Sequence, residues 1–381
     1  MKESPLIYLD YNATTPVAPE AARVLSRYLE EDFGNPGSDY ALGRRAKEAV
    51  ERARGQVAAL LGCRPEEIVF TGGATEANNT VLQGVARHFG RGHIITQATE
   101  HPSVLAPLRF LQSQGFEVTI LPVDGAGRLD PGAVRRALTP KTILISIMHA
   151  NNETGTLQPV AAVARLAREA GVLCHTDAAQ SVGKIPVSVG DLQVDFLTVA
   201  GHKLYAPKGV GALYVRAGSP FIPLLHGGGQ EGGRRSGTEN VPHIAALGEA
   251  CRLAGTRLPE DMAHLKSRRD LLHRLLQAGF PGLVLNGHEA ERLPNTLNVS
   301  FPGLSGAAIL AGVPRVAASL GAACHGGEET PSTVLTAMGV TPEVARGAVR
   351  LSVGRPTTRK DIEAAAALLL TRVKAEYRVL S

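Results

Sequence analysis

The stretch EEIVFTGGATEANNTVLQGVARHF, residues 66–89, sets the fold: a short β-rich run reaches two glycines and passes directly into a long amphipathic helix pattern. A strand that turns through glycine into a helix is the first half of a βαβ crossover. The same alternation recurs along the chain. HIITQ (93–97) precedes SVLAPLRFLQSQG, and EVTILPV (117–123), TILISIMHA (142–150) and VLCHTDA (172–178) follow with helical patterns between them. Repeated crossovers build a mostly parallel sheet, so the expected fold class is α/β. Such sheets bind ligands at the carboxyl ends of their strands. The segments TGGATE, TEHPS, HANNETG, TDAAQ and AGHK all fall there.

The pattern changes after ENVPHIAALGEACRLAG (239–255). DMAHLKSRRDLLHRLLQAGF reads as a separate helix, TLNVSF and VRLSV as strands, and TTRKDIEAAAALLLTRVKAEY as a closing helix. This predicts a large domain over residues 15–256 and a smaller α+β domain built from residues 1–14 and 257–381. In VDFLTVAGHKLYAPKGVGALYV (194–215), one apolar run delivers Gly201, His202 and Lys203, and a second returns as another strand.

Composition narrows the function classes. The 381 residues are 44% apolar and 20% charged, which is a globular profile able to bury a sizeable core. A net charge of +5 without a dense Lys/Arg block or an RNA-recognition motif argues against nucleic-acid binding. Four scattered cysteines without a CxxC pair are poor material for a disulfide framework or a structural zinc site, and the histidines lack ligand spacing. The start, MKESPLIYLDYNATTP, has no basic flank followed by an apolar core, and no run reaches membrane-span length. The expected setting is soluble, reducing and cytoplasmic.

Four features carry candidate chemistry. In TGGATEANN (71–79), glycines and a helix N-terminus offer a phosphate cradle with the Thr75 hydroxyl as an added donor; read alone, the same pattern is ordinary turn chemistry. Asp177 ends an apolar strand, either to cap the next helix or to pair with a cation such as a protonated pyridine nitrogen. GGGQEGG (227–233) contains GxGxxG, but RRSGTEN follows rather than an apolar helix, so the dinucleotide reading fails. Cys324 stands in the Gly- and Ala-rich loop SLGAACHGGEETPS (319–332), whereas Cys63, Cys174 and Cys251 read as structural. With His101 to stack on a ring and Lys203 to form a Schiff base, these groups together suit pyridoxal 5'-phosphate.

The chain resembles the cysteine desulfurase family of fold-type I pyridoxal-phosphate enzymes, the NifS/IscS-like group that includes selenocysteine lyases. The motifs that carry the resemblance span nearly the whole chain: YLDYNATTP, GNPGS, IVFTGGATEANN, TEHPSV, ISIMHANNETG, HTDAAQSVGK, VDFLTVAGHKLYAPKGVGALYVR, HGGGQEGGRRSGTEN, LPNTLNVSF, GAACH and VRLSVGR. The resemblance implies the fold-type I transferase fold, a homodimer, a pyridoxal-phosphate large domain and a small domain carrying the reactive cysteine.

By the same resemblance, Lys203 binds the cofactor, His101 stacks on its ring and assists proton transfer, Asp177 pairs with the pyridine nitrogen, and Gln180 approaches the ring hydroxyl with help from Asn152. Ala74, Thr75, Ala200 and His202 face the phosphate side, and Thr238 reaches the phosphate of the partner subunit. Arg350 grips the substrate carboxylate with its bidentate fork, Asn152 adjoins the substrate, and Asn35 sits at the substrate mouth. Cys324 takes sulfur from L-cysteine as a persulfide, leaving alanine, and passes it to an acceptor such as an iron–sulfur scaffold protein. Ala200 stands where many relatives carry serine, so one phosphate contact is lost. Gly72 replaces a frequent serine. Tyr40, Ala322, His325 and the RLSVGRPTTR tail are similar to selenocysteine lyases, which keeps L-selenocysteine open as the alternative substrate.

Overall fold

The computed structural model describes residues 5–320 and 332–380. A short N-terminal strand, β1 (Ile7–Tyr8), is followed by helices α1 (Pro19–Glu30) and α2 (Ala41–Leu61). Seven further strands then form the main sheet: β2 (Ile68–Thr71), β3 (His93–Gln97), β4 (Glu117–Leu121), β5 (Thr142–Ser146), β6 (Leu173–Asp177), β7 (Phe196–Ala200) and β8 (Gly211–Val215). Their order is β2-β8-β7-β6-β5-β3-β4. The β3–β4, β3–β5, β5–β6 and β6–β7 pairs are parallel, whereas β8 runs antiparallel to both β2 and β7. This agrees with the α/β reading and with the return strand expected after Lys203.

Strand residues alternate between two cores, as a period of two requires. Ile68, Phe70, Ile145, Leu197 and Val199 face one side. Val69, Leu144, Phe196, Leu213 and Val215 face the other. Helices α3 (Ala74–Phe89) and α4 (Pro102–Ser113) cover the second face through Ala77, Val81, Val104 and Leu108. Because both faces are covered, β2, β3, β5 and β7 are buried at every residue, so none of them shows the apolar/polar alternation of a half-exposed strand.

A second core gathers Leu297, Val299, Val349, Leu351, Ile362 and Leu369 around an antiparallel sheet of β9 (Val284–Leu285), β10 (Thr296–Ser300) and β12 (Ala348–Ser352), with the helix Arg359–Leu380 packed on it. Ile7 and Leu9 join this core, and β1 pairs in parallel with β11 (Val316–Ala317). The two helices read around residue 256 are one helix, Val241–Gly279, with Pro259 inside it. Proline removes one backbone bond, but the helix buries Ile244, Leu247 and Cys251 in the first core and Leu265, Leu272 and Leu276 in the second. Packing at both ends outweighs the local break, so the division placed between residues 256 and 257 falls within a continuous helix.

Between β8 and this helix, the glycine-rich segment is held by a buried ion pair. Arg54 of α2 meets both carboxylate oxygens of Glu231 at 2.8 Å, and Glu231 also accepts from the Phe70 amide. Gln230–Gly233 form a short 3₁₀ turn rather than the start of a crossover helix. The GxGxxG match therefore has no dinucleotide context, as the sequence indicates.

Candidate active site

The carboxyl ends of β2, β3, β5, β6 and β7 open onto one cavity of about 660 Å³. Its walls include Gly73, Ala74, Thr75, His101, Asn152, Asp177, Gln180, Ala200, His202, Lys203 and Arg350. Ten of the expected side chains therefore share one space although they are spread over most of the sequence. The parallel topology is what collects them, because each crossover returns the next strand end to the same edge.

The cradle lies at the start of α3. Gly73 holds φ 149°, which favours glycine, and its position leaves the helix without a side-chain cap. The first-turn amides of Ala74 and Thr75 thus face the cavity with the positive end of a sixteen-residue helix behind them. Lys208, exposed at the rim, adds a cation that sequence reading left unassigned. Ala200 lines the same cavity and offers no hydroxyl.

Asp177 is buried at the end of β6. Its carboxylate accepts from Asn78 Nδ2 at 2.8 Å and from the Ala179 amide at 2.9 Å. Both donors are neutral, so neither supplies the cation that a protonated ring nitrogen could bring to this carboxylate. Asn78 in turn donates to Ser103 Oγ at 2.9 Å, and Ser103 lies 2.8 Å from His101 Nδ1. The Ser103 amide also donates to His101 Nδ1, as an N-cap contact of α4. With Nδ1 accepting, the ring proton of neutral His101 belongs on Nε2. Burial lowers the His101 pKa; the Lys203 charge adds to this and Asp177 partly opposes it. At neutral pH the imidazole is a neutral ring able to stack and to exchange a proton.

Lys203 closes the turn Gly201–Lys203 after β7. A Cβ on Gly201 would come within 2.7 Å of the Val210 carbonyl oxygen, so only glycine lets the two strands approach here. Lys203 Nζ donates to the Asn12 and Ala13 carbonyls, each at 2.6 Å. Burial and the nearby Arg350 charge pull its pKa down to about 8, against the opposing pull of Asp10 and Asp177. The amine is therefore partly unprotonated near neutral pH and able to attack a carbonyl. The rate at which the apoprotein captures pyridoxal phosphate, followed by absorbance, is expected to rise with pH through a midpoint near 8. A rise placed instead near the ordinary lysine value of about 10.4 contradicts this.

Arg350 projects from β12 into the cavity, joining the second core to the main sheet's edge. Its Nη2 contacts Asp10 Oδ1 at 2.6 Å and its Nη1 donates to the Asn152 carbonyl at 3.2 Å. The buried Nε has no hydrogen-bond partner among the described residues. The guanidinium is thus oriented from two sides while keeping donor capacity for a carboxylate.

Two expected residues lie elsewhere. Asn35 is exposed, accepts from the Gly37 amide at 2.9 Å, and is not part of the cavity wall. Thr238 is exposed in a separate small cleft with Arg235 and Glu239. Cys324 and His325 lie outside the described residues. The remaining thiols are held protonated: burial pushes Cys63 and Cys251 up to about 12 and raises Cys174 further. Sequence reading missed Asp10 and Asn12, which sit in the quoted YLDYNATTP, and Lys184, the last residue of HTDAAQSVGK. Among the described residues no group of histidine, cysteine and acidic side chains could hold a metal, and no helix is long and apolar enough to cross a membrane.

An uncapped helix start, a buried carboxylate with neutral donors and a softened lysine amine fit pyridoxal phosphate. The fold and this cavity define a pyridoxal-phosphate enzyme, and the chain belongs to the aminotransferase class-V family, which it matches over residues 7–365. Within that class its relatives are specific. It is 44% identical to the cysteine desulfurase IscS of Dictyoglomus turgidum, over 93% of this chain and 91% of that one. It is 45% identical to the cysteine desulfurase IscS of Anaeromyxobacter sp. (strain Fw109-5), over 97% and 92%. Among solved structures, a NifS-like protein superposes with a TM-score of 0.91 at 37% identity, covering 97% of this chain and 99% of the other. The structure titled SspA in complex with cysteine superposes at 0.82 and 37% identity, covering 92% and 99%.

Proposed function

We propose that this protein converts L-cysteine to L-alanine and carries the released sulfur as a persulfide on Cys324, for delivery to an acceptor protein. The observation that supports this most directly is the convergence of Lys203, Asp177, His101 and Arg350 on one cavity, in a chain whose relatives are named cysteine desulfurases. Bound pyridoxal phosphate supplies an electron sink for the pair left at the substrate's Cα. Arg350, turned by Asp10 and the Asn152 carbonyl, holds the substrate carboxylate. Lys203, whose lowered pKa leaves part of it unprotonated near neutral pH, takes the Cα proton and later returns one. Asp177 would hold the cofactor's ring nitrogen in its protonated form, and neutral His101, which lines the same cavity, would stack on the ring.

The Cys324 thiolate then forms a bond to the substrate sulfur as the carbon–sulfur bond breaks. The electron pair stays with carbon, which is protonated to give alanine. The described thiols cannot do this at neutral pH, since each is raised far above it. Exposed Thr238 is free to act in a partner's cavity, so the working unit in this reading is a homodimer. Its location is the cytoplasm.

The test is alanine release by the cofactor-loaded protein from L-cysteine and from L-selenocysteine in parallel. Turnover of cysteine at a rate equal to or above that of selenocysteine is expected. Release confined to selenocysteine would replace the proposal with a selenocysteine lyase.

A further inference from the structure

Behind the cavity, and not part of its wall, lies a buried amine. Lys184 follows the turn after β6 and is only 6% exposed. Its Nζ donates to Gln180 Oε1 at 2.8 Å and to Asn12 Oδ1 at 3.2 Å. Both acceptors are neutral amide oxygens, and the charged groups that face it are two cations, Lys203 and Arg350. An apolar side chain would be cheaper to bury at such a place. What the amine does there is visible in its neighbours.

Gln180 Nε2 donates to the Asn12 carbonyl at 3.0 Å, and the same carbonyl receives Lys203 Nζ. The Gln180 amide is therefore held at both ends, oxygen toward Lys184 and nitrogen toward Asn12. A primary amide has two N–H groups, so the one left to Gln180 is a donor. Reversing the amide would set its oxygen against the Asn12 carbonyl, acceptor against acceptor, and would forfeit the acceptor that Lys184 Nζ uses. Asn12 is fixed in the same way: its Oδ1 accepts from Lys184 and from Asn295 at 2.9 Å, and its Nδ2 donates to Thr296 Oγ1 at 2.8 Å.

We propose that Lys184 is a positioning residue that locks the amide of Gln180 so that it presents a hydrogen-bond donor, and not an acceptor, to the cofactor, while holding in place the Asn12 carbonyl that receives Lys203. The proposal rests on the cofactor reading above and is independent of which amino acid is the substrate. Burial and the nearby cations lower the Lys184 pKa well below the ordinary lysine range, and its Nζ spends two N–H groups on the two amide oxygens.

A donor aimed at the ring hydroxyl stabilises its ionised form and so lowers the pH at which the bound, coloured cofactor gives up its proton. The experiment is an absorbance titration of the holoenzyme against pH. Lys184→Met removes both N–H groups at similar volume and frees the Gln180 amide; it is expected to raise the midpoint by roughly half a pH unit or more. Gln180→Ala raises it similarly, and the double variant equals Gln180→Ala alone, because one residue acts through the other. An unchanged midpoint in a folded, cofactor-loaded Lys184→Met protein would overturn the proposal, as would additive shifts in the double variant. If Lys184→Met does not fold, Gln180→Glu reads the contact from its other end. It removes the donor without emptying the buried site, and its midpoint must also rise; no rise overturns the proposal. A protein that titrates as stated yet frees no alanine from L-cysteine supports the role of Lys184 and overturns the substrate reading instead.

Discussion

Lys203→Ala lowers alanine release from L-cysteine by roughly 10³-fold, the middle of the range for loss of a positioned proton-transfer group. Lys203 is placed by Gly201, whose lack of a side chain lets β7 and β8 close together, and its Nζ is held by two carbonyls of the N-terminal segment. No other amine of the cavity can replace it. Lys184 is turned away toward Gln180 and Asn12, and Lys208 stands exposed at the rim. The loss should therefore appear in kcat rather than in KM, since Arg350 still holds the carboxylate. The variant also loses its covalent hold on the cofactor, so gel filtration should strip the yellow colour that the unmodified protein keeps. Turnover near the unmodified rate would remove Lys203 from the chemistry.

Cys324→Ser is expected to abolish protein-bound persulfide and to lower cysteine turnover by several orders of magnitude, as loss of a catalytic nucleophile does. A hydroxyl in that position is a far weaker nucleophile toward sulfur than a thiolate. The control is Cys63→Ala, expected to stay within about two-fold of the unmodified rate, because burial and Glu67 hold that thiol protonated up to about 12. Selenocysteine should depend less on Cys324, since selenium leaves carbon more readily than sulfur does. Persulfide persisting on the Cys324→Ser protein would assign the nucleophile to another thiol.

The alternation of strands and helices was plain in the sequence because every β run ended in glycine or polar punctuation, and the loops that build the cavity follow those runs directly. The continuous helix Val241–Gly279 was hidden by Pro259, a local signal that says nothing of the two cores waiting at either end. Strand β9, with two residues, has no pattern to read. Within the site, Lys203 and Asp177 announced themselves by standing at the ends of apolar runs. Lys184 did not. Its meaning comes from Asn12, 172 residues away, and no local pattern encodes a pairing at that distance. Asp10 is similar: 340 residues separate it from Arg350, and only the fold shows that it turns the guanidinium.

Where the sulfur goes decides the reaction most directly. The cofactor-loaded protein is given L-cysteine without reductant, alanine is counted, and the peptide containing Cys324 is weighed by mass spectrometry. One added sulfur atom on that peptide for each early equivalent of alanine is the predicted result. Alanine formed while Cys324 gains no sulfur would contradict it.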